Sequence, residues 1–230
     1  LITSQLQSLR ELGTDGLSLF TTQIVRLFAY GFLSVVLVLY LAQAGLTETR
    51  IGLLLTLTLI GDTLISLWIT TSADRIGRRR MLILGAVLMV FAGVLFALTR
   101  DFLLLLIAAT IGVISPSGYE VGPFLSIEQA ALSQIVPDKR RTQIFAWYNL
   151  VGSFTTALGS LAGGVLVQGL QGIGMEPLGS YRAIVIGYAA MGLLLAILFL
   201  RLSQAVEVTP VIDRSGVPEA SNPFFGLHRS

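Results

Sequence analysis

Cysteine is missing altogether, and histidine occurs once, as His228. Without thiols there is no disulfide framework and no thiolate metal site. A single imidazole in a polar tail excludes most zinc and triad chemistry. Charge is scarce as well: Asp, Glu, Lys and Arg make up 12% of the 230 residues, about half the share of a soluble domain. Hydrophobic residues make up 54%, and mean hydropathy is +0.82. The chain is therefore expected to be an all-α integral membrane protein. Its net charge of +2 is too small to point to nucleic acid. Neither G-x-S-x-G nor H-E-x-x-H occurs and no histidine lies in an apolar run, so neither an enzyme nor a cofactor is expected.

What the chain does have is long apolar runs. Spans are expected at residues 27–44, 51–71, 81–99, 144–170 and 181–202, with a longer segment at 102–136 as the fourth of six. A straight helix over that fourth segment would reach about 52 Å against a hydrocarbon core of about 30 Å. It holds Pro116, Gly118, Gly122 and Pro123, so a kinked or broken helix is expected there. Residues 1–26 read as a cytoplasmic N-terminal segment, and 203–230, with Pro210, Pro218 and Pro223, as a cytoplasmic linker. Residues 1–16 are mixed polar, so no cleavable signal peptide is expected within them. The first residue is Leu1 rather than methionine, which suggests a fragment. With both ends inside, twelve of the fifteen Lys and Arg residues fall on the cytoplasmic side and three (Arg50, Arg100 and Arg182) outside. That bias supports this topology over its inverse.

Between the second and third spans, residues 70–82 read TTSADRIGRRRML. Asp74, Arg75, Gly77, Arg78, Arg79 and Arg80 crowd into a tight cytoplasmic turn, with Gly77 supplying the reversal. This stretch resembles the signature loop of the major facilitator superfamily of transporters, roughly G-x-L-A-D-R-x-G-R-R-x-x-L. Ala73, Asp74, Arg75, Gly77, Arg78, Arg79 and Leu82 match it, while Thr70 and Ser72 depart from it. The resemblance implies one half of a major facilitator fold, with residues 27–202 forming six transmembrane helices as a 3+3 inverted repeat. A second six-helix half would follow on the full-length chain. It also implies that Asp74, Arg75, Gly77, Arg78 and Arg79 form a gating loop, with Asp138 and Glu128 as possible acidic partners. Gly159, Gly163 and Gly164 partly match the glycine signature of drug and proton antiporters, although close helix packing is the simpler reading of these small residues. That signature's Gly-Pro is absent, and so is the arginine these antiporters carry in helix 4.

Asp62, Glu120 and Glu128 lie in or near the membrane, where a carboxylate must be protonated, paired or hydrated. They are candidates for proton or substrate binding. Each also has a structural reading; for Glu128 this is an ion pair with Lys139–Arg141 or with Arg75–Arg80. Glu120 and Glu128 are eight positions apart, about 80° around an ideal helix. Tyr30, Ser34, Gln129, Tyr148 and Asn149 are candidates for lining a cavity. The expected function is secondary active transport of a small solute across the cell membrane by alternating access, proton-coupled and leaning to efflux. The alternatives are coupled or facilitated uptake of a polar metabolite, or a six-span scaffold without transport.

Overall fold

In a computed structural model, the described residues are 13–116, 123–137, 140–203 and 207. Among them there is no strand. The seven helices are α1 (Gly13–Gln43), α2 (Glu48–Ile76), α3 (Arg78–Leu98), α4 (Phe102–Ile111), α5 (Pro123–Ile135), α6 (Arg141–Gly172) and α7 (Pro177–Leu200). Five of these, α1, α2, α3, α6 and α7, are long and apolar enough to cross a bilayer. At ten and thirteen residues, α4 and α5 span only about 15 and 20 Å. Both fall in the segment expected as the fourth span.

Local chemistry sets the boundaries. The Thr47 side chain caps α2 by accepting from the Arg50 amide, and Asp101 caps α4 by accepting from Leu104 at 3.0 Å. Pro177 opens α7 where its missing N–H costs nothing. Gly77, at φ 111°, separates α2 from α3 with no other residue between them. That left-handed φ favours glycine. The fourth span stops earlier than its prolines suggest: Gly112 caps α4, and Val113 follows at φ 53°. A β-branched residue in that region is held there by its surroundings. Tyr188 of α7 supplies part of the restraint, its hydroxyl donating to the Val113 carbonyl at 3.1 Å.

One helix differs from expectation at its start. α1 is helical from Gly13, the first described residue, unbroken through Arg26, so the first helix does not wait for Leu27. It is the most enclosed of the long helices, whereas α2 and α6 are the least. α1 packs along α6 and α7, α3 along α7, and α2 along α4. Glycines bring these backbones together. A Cβ at Gly31 would sit 2.1 Å from the Thr156 carbonyl oxygen, and one at Gly159 2.2 Å from that of Phe28. Ser160 then donates to the Gly31 carbonyl across the seam at 3.1 Å. Small residues allow such approach where apolar burial gives no preference over lipid. The outward faces of α2 and α6 stay apolar, with Leu64 63% and Phe154 66% exposed.

Candidate functional site

Three polar clusters interrupt this apolar bundle. The first lies in its interior. Arg26 of α1 and Glu128 of α5 form a bidentate ion pair, with Nη1 2.6 Å from Oε1 and Nη2 2.8 Å from Oε2. Both side chains are fully buried. The Thr22 hydroxyl reaches Oε1 at 3.0 Å, and the Tyr148 hydroxyl donates to Oε2. Gln23 donates to the Tyr148 carbonyl at 3.0 Å. Arg26 also lies 5.0 Å from the ring centre of Phe124, where the aromatic face favours a cation. Burying two charges is costly, and only this density of partners offsets the loss of water. Glu128 is thus held by Arg26. The ion pair with Lys139–Arg141 or Arg75–Arg80 expected from sequence is not its arrangement, because α1 carries its arginine into the bundle.

The second cluster is the turn between α2 and α3. Here a carboxylate from beyond the last span, Glu207, accepts from the Arg78 amide at 2.8 Å and the Arg79 amide at 3.2 Å. An acid at a helix start meets its unpaired amides and the positive end of its dipole. Arg78 is buried and donates to Gln134 of α5 at 3.0 Å, and Arg79 donates to the Leu200 carbonyl at the end of α7. Asp15 receives the Ser203 amide at 3.1 Å and its hydroxyl as well. The turn is therefore wired to α5, to α7 and to the chain that leaves α7. Arg75 is exposed. Asp74 falls in the last helical turn of α2; its side chain, like Asp138 and Glu120, lies outside the described residues. Among the described residues the turn's acidic partner is Glu207, a residue that sequence reasoning left in the linker.

The third cluster surrounds the break in the fourth span. Asp62 of α2 is 2% exposed, and its Oδ1 has no hydrogen-bond partner among the described residues. Next to it, a Cβ at Gly61 would lie 2.8 Å from the Thr110 carbonyl oxygen in the last turn of α4. Tyr188, which holds Val113, stacks on Tyr30 with ring centres 6.5 Å apart. A groove of about 360 Å³ runs along the outer side of the α2–α4 contact, lined by apolar residues such as Leu57, Leu64 and Ile107. None of the polar candidates lines it.

The sequence candidates are thus dispersed. Tyr30 is buried at the third cluster and Tyr148 at the first. Ser34 is half-buried and donates to Gly31 at 3.0 Å. Gln129 is half-buried and Asn149 exposed. Arg26, Glu207 and Asp15 were not singled out. An arginine flanked by Ile24-Val25 and Leu27-Phe28 was the available signal for the first of these, since it leaves the apolar run unbroken on both sides.

The family model of the Major Facilitator Superfamily matches residues 19–226. An uncharacterized membrane protein of Saccharomyces cerevisiae, YJR124C, is 39% identical over 192 residues, covering 83% of this chain and 43% of that protein. The quinolone resistance protein NorA of Staphylococcus aureus is 25% identical over 138 residues, covering 60% of this chain and 34% of NorA. A crystal structure of a D-xylose-proton symporter superposes with a TM-score of 0.62 at 18% identity, over 81% of this chain and 48% of the symporter. The chain spans less than half the length of each of these relatives. With the family model matching most of its length and its signature turn in place, the chain belongs to the major facilitator superfamily of membrane transporters.

Proposed function

We propose that this chain is the N-terminal half of a secondary active transporter that moves a small solute across the cell membrane by alternating access. The six spans, counting α4 and α5 as one, form a 3+3 inverted repeat, and both ends face the cytoplasm. A second six-helix half supplies the other wall of the cavity. Transport is proton-coupled and directed outward. Asp62 and Glu120 are the candidate proton or substrate carriers, Glu128 being already committed to Arg26. The likeness to a quinolone resistance protein supports the outward direction. The protein carries solute and does not transform it.

The wiring of the signature turn carries this reading. Glu207, Arg78 and Arg79 bind the turn to α5 and α7, so that it moves with the half as one piece, as rocking of rigid halves requires. A hydrogen bond to a charged group contributes about 1.5–3 kcal/mol. Glu207→Gln is expected to lower transport several-fold at matched membrane abundance, and Asp74→Asn to do the same without impairing insertion. Solute uptake into inverted vesicles carrying the full-length protein checks both. Parental rates in the two variants would remove the turn from the transport cycle.

A further inference from the structure

The seam between α3 and α7 is closed by small residues. A Cβ at Gly93 would lie 2.8 Å from the Ala189 Cβ, and one at Gly192 3.1 Å from a methyl of Val90. Beside this seam run two exposed apolar stripes: Val87, Phe91 and Val94 on α3, and Ile186, Leu193 and Ile197 on α7. The two helices are antiparallel, since Arg79 at the start of α3 donates to the Leu200 carbonyl at the end of α7. At about 100° per residue, both stripes then turn to the same side of the seam and leave a shallow apolar furrow between them. From Arg80 to Val94 the furrow runs about 21 Å. One leaflet of a hydrocarbon core about 30 Å thick fits within that length.

Both stripes end in an arginine at the same end of the furrow. Arg80 stands seven positions before Val87, and Arg201 four after Ile197, spacings that keep each on its stripe. Both are exposed, and neither has an ion pair among the described residues. The bond from Arg79 to the Leu200 carbonyl holds them side by side, because Arg80 follows the donor and Arg201 the acceptor. The acids nearby are engaged elsewhere: Glu207 accepts from the Arg78 and Arg79 amides, and Asp15 from Ser203. Two guanidiniums over an apolar furrow match a ligand with a phosphate at one end and hydrocarbon behind it. Their planar forks bind phosphate oxygens in pairs, and their stems can lie along the apolar surface.

We infer that the α3–α7 furrow is a binding site for one anionic phospholipid, its phosphate held between Arg80 and Arg201 and an acyl chain laid along the two stripes. Diffuse attraction of a basic turn to an anionic leaflet would draw on every arginine of that face alike. A site built at the ends of two stripes draws on these two. The lipid would brace the start of α3 against the end of α7 from outside, where Arg79 already does so from within. The inference needs the turn to lie at a membrane surface and does not depend on what, if anything, the chain transports.

The test is native mass spectrometry of the full-length protein released from detergent, titrated with phosphatidylglycerol and with phosphatidylcholine of the same acyl chains. One phosphatidylglycerol is expected to bind ahead of the rest and in preference to phosphatidylcholine. At about fivefold per arginine near a headgroup, Arg80→Gln and Arg201→Gln should each weaken that first binding about fivefold, and the pair together about thirtyfold. Arg80→Lys should retain part of it. Arg141→Gln removes an exposed cation at the start of α6, away from the furrow, and should leave the first binding unchanged. Equal binding of the two lipids overturns the site, as does a loss in Arg141→Gln as large as in Arg80→Gln. Displacement of the lipid by soluble glycerol phosphate would assign the arginines to a free phosphate compound and refute the lipid. A protein that retains no lipid at all would mean that other parts of the chain, or a second copy, cover the stripes.

Discussion

Arg26→Met is expected to remove most of the folded protein. It leaves the Glu128 carboxylate buried with two hydroxyls and no cation. Breaking a buried pair from one side costs about 3–5 kcal/mol, a large part of the stability of an ordinary domain. Glu128→Gln should be nearly as harmful, since it strands the guanidinium instead. The double variant Arg26→Met with Glu128→Gln should recover much of the loss: no charge remains, and the new amide oxygen still accepts from Tyr148. Size-exclusion profiles and thermal midpoints of the full-length protein in detergent measure this order. Recovery in the double variant is the diagnostic, because independent contributions would make it worse than either single variant. If Glu128→Gln folded like the parent and lost only proton coupling, Glu128 would be a carrier and not a tie between α1, α5 and α6.

The second large effect is steric. Gly159→Ala places a methyl group 2.2 Å from the Phe28 carbonyl oxygen, where backbone, not a flexible side chain, is in the way. Overpacking commonly costs about 1–3 kcal/mol when side chains can yield. Here two helices must part, so the loss should reach or exceed the top of that range. Gly164 lies five positions further along the same helix, and a Cβ there meets nothing within 4 Å. Gly164→Ala should therefore be tolerated and gain slightly from helix propensity. Thermal midpoints of the two variants, measured side by side, should differ by several degrees or more. Equal midpoints would mean that α1 and α6 are not in close contact in the membrane. The same glycines read, in the sequence, as packing positions as well as an incomplete antiporter signature; the structure gives Gly159 and Gly163 a packing role against α1.

The features legible in the sequence were those carried by neighbouring residues. Run length and hydropathy revealed the spans, because a bilayer demands one kind of element at nearly one length. The turn at Gly77 was legible because its arginines, its glycine and its flanking spans sit together. The broken fourth span was legible from its prolines and glycines, though Val113 and its carbonyl to Tyr188 were not: nothing about a valine marks a left-handed backbone. The pairings that matter most are distant. Glu128 finds Arg26 across 102 positions and Glu207 finds the Arg78 amide across 129, and neither partner follows from local pattern. Arg26 reads as the boundary between lead-in and span because exposed charge ordinarily marks a membrane surface. A buried arginine reads identically until its acid is found. Asp62 was visible as an acid in an apolar run, but that its Oδ1 has no hydrogen-bond partner among the described residues emerged only from the packed neighbours.

The most direct test of coupled transport is proton movement in proteoliposomes of the full-length protein, read by an internal pH dye as lipophilic cations and small polar metabolites are added in turn. A substrate-dependent proton flux in the sense of antiport is expected, lost in Asp62→Asn and slowed in Glu207→Gln. Folded protein that moves neither protons nor any offered solute, with or without sodium, would contradict it.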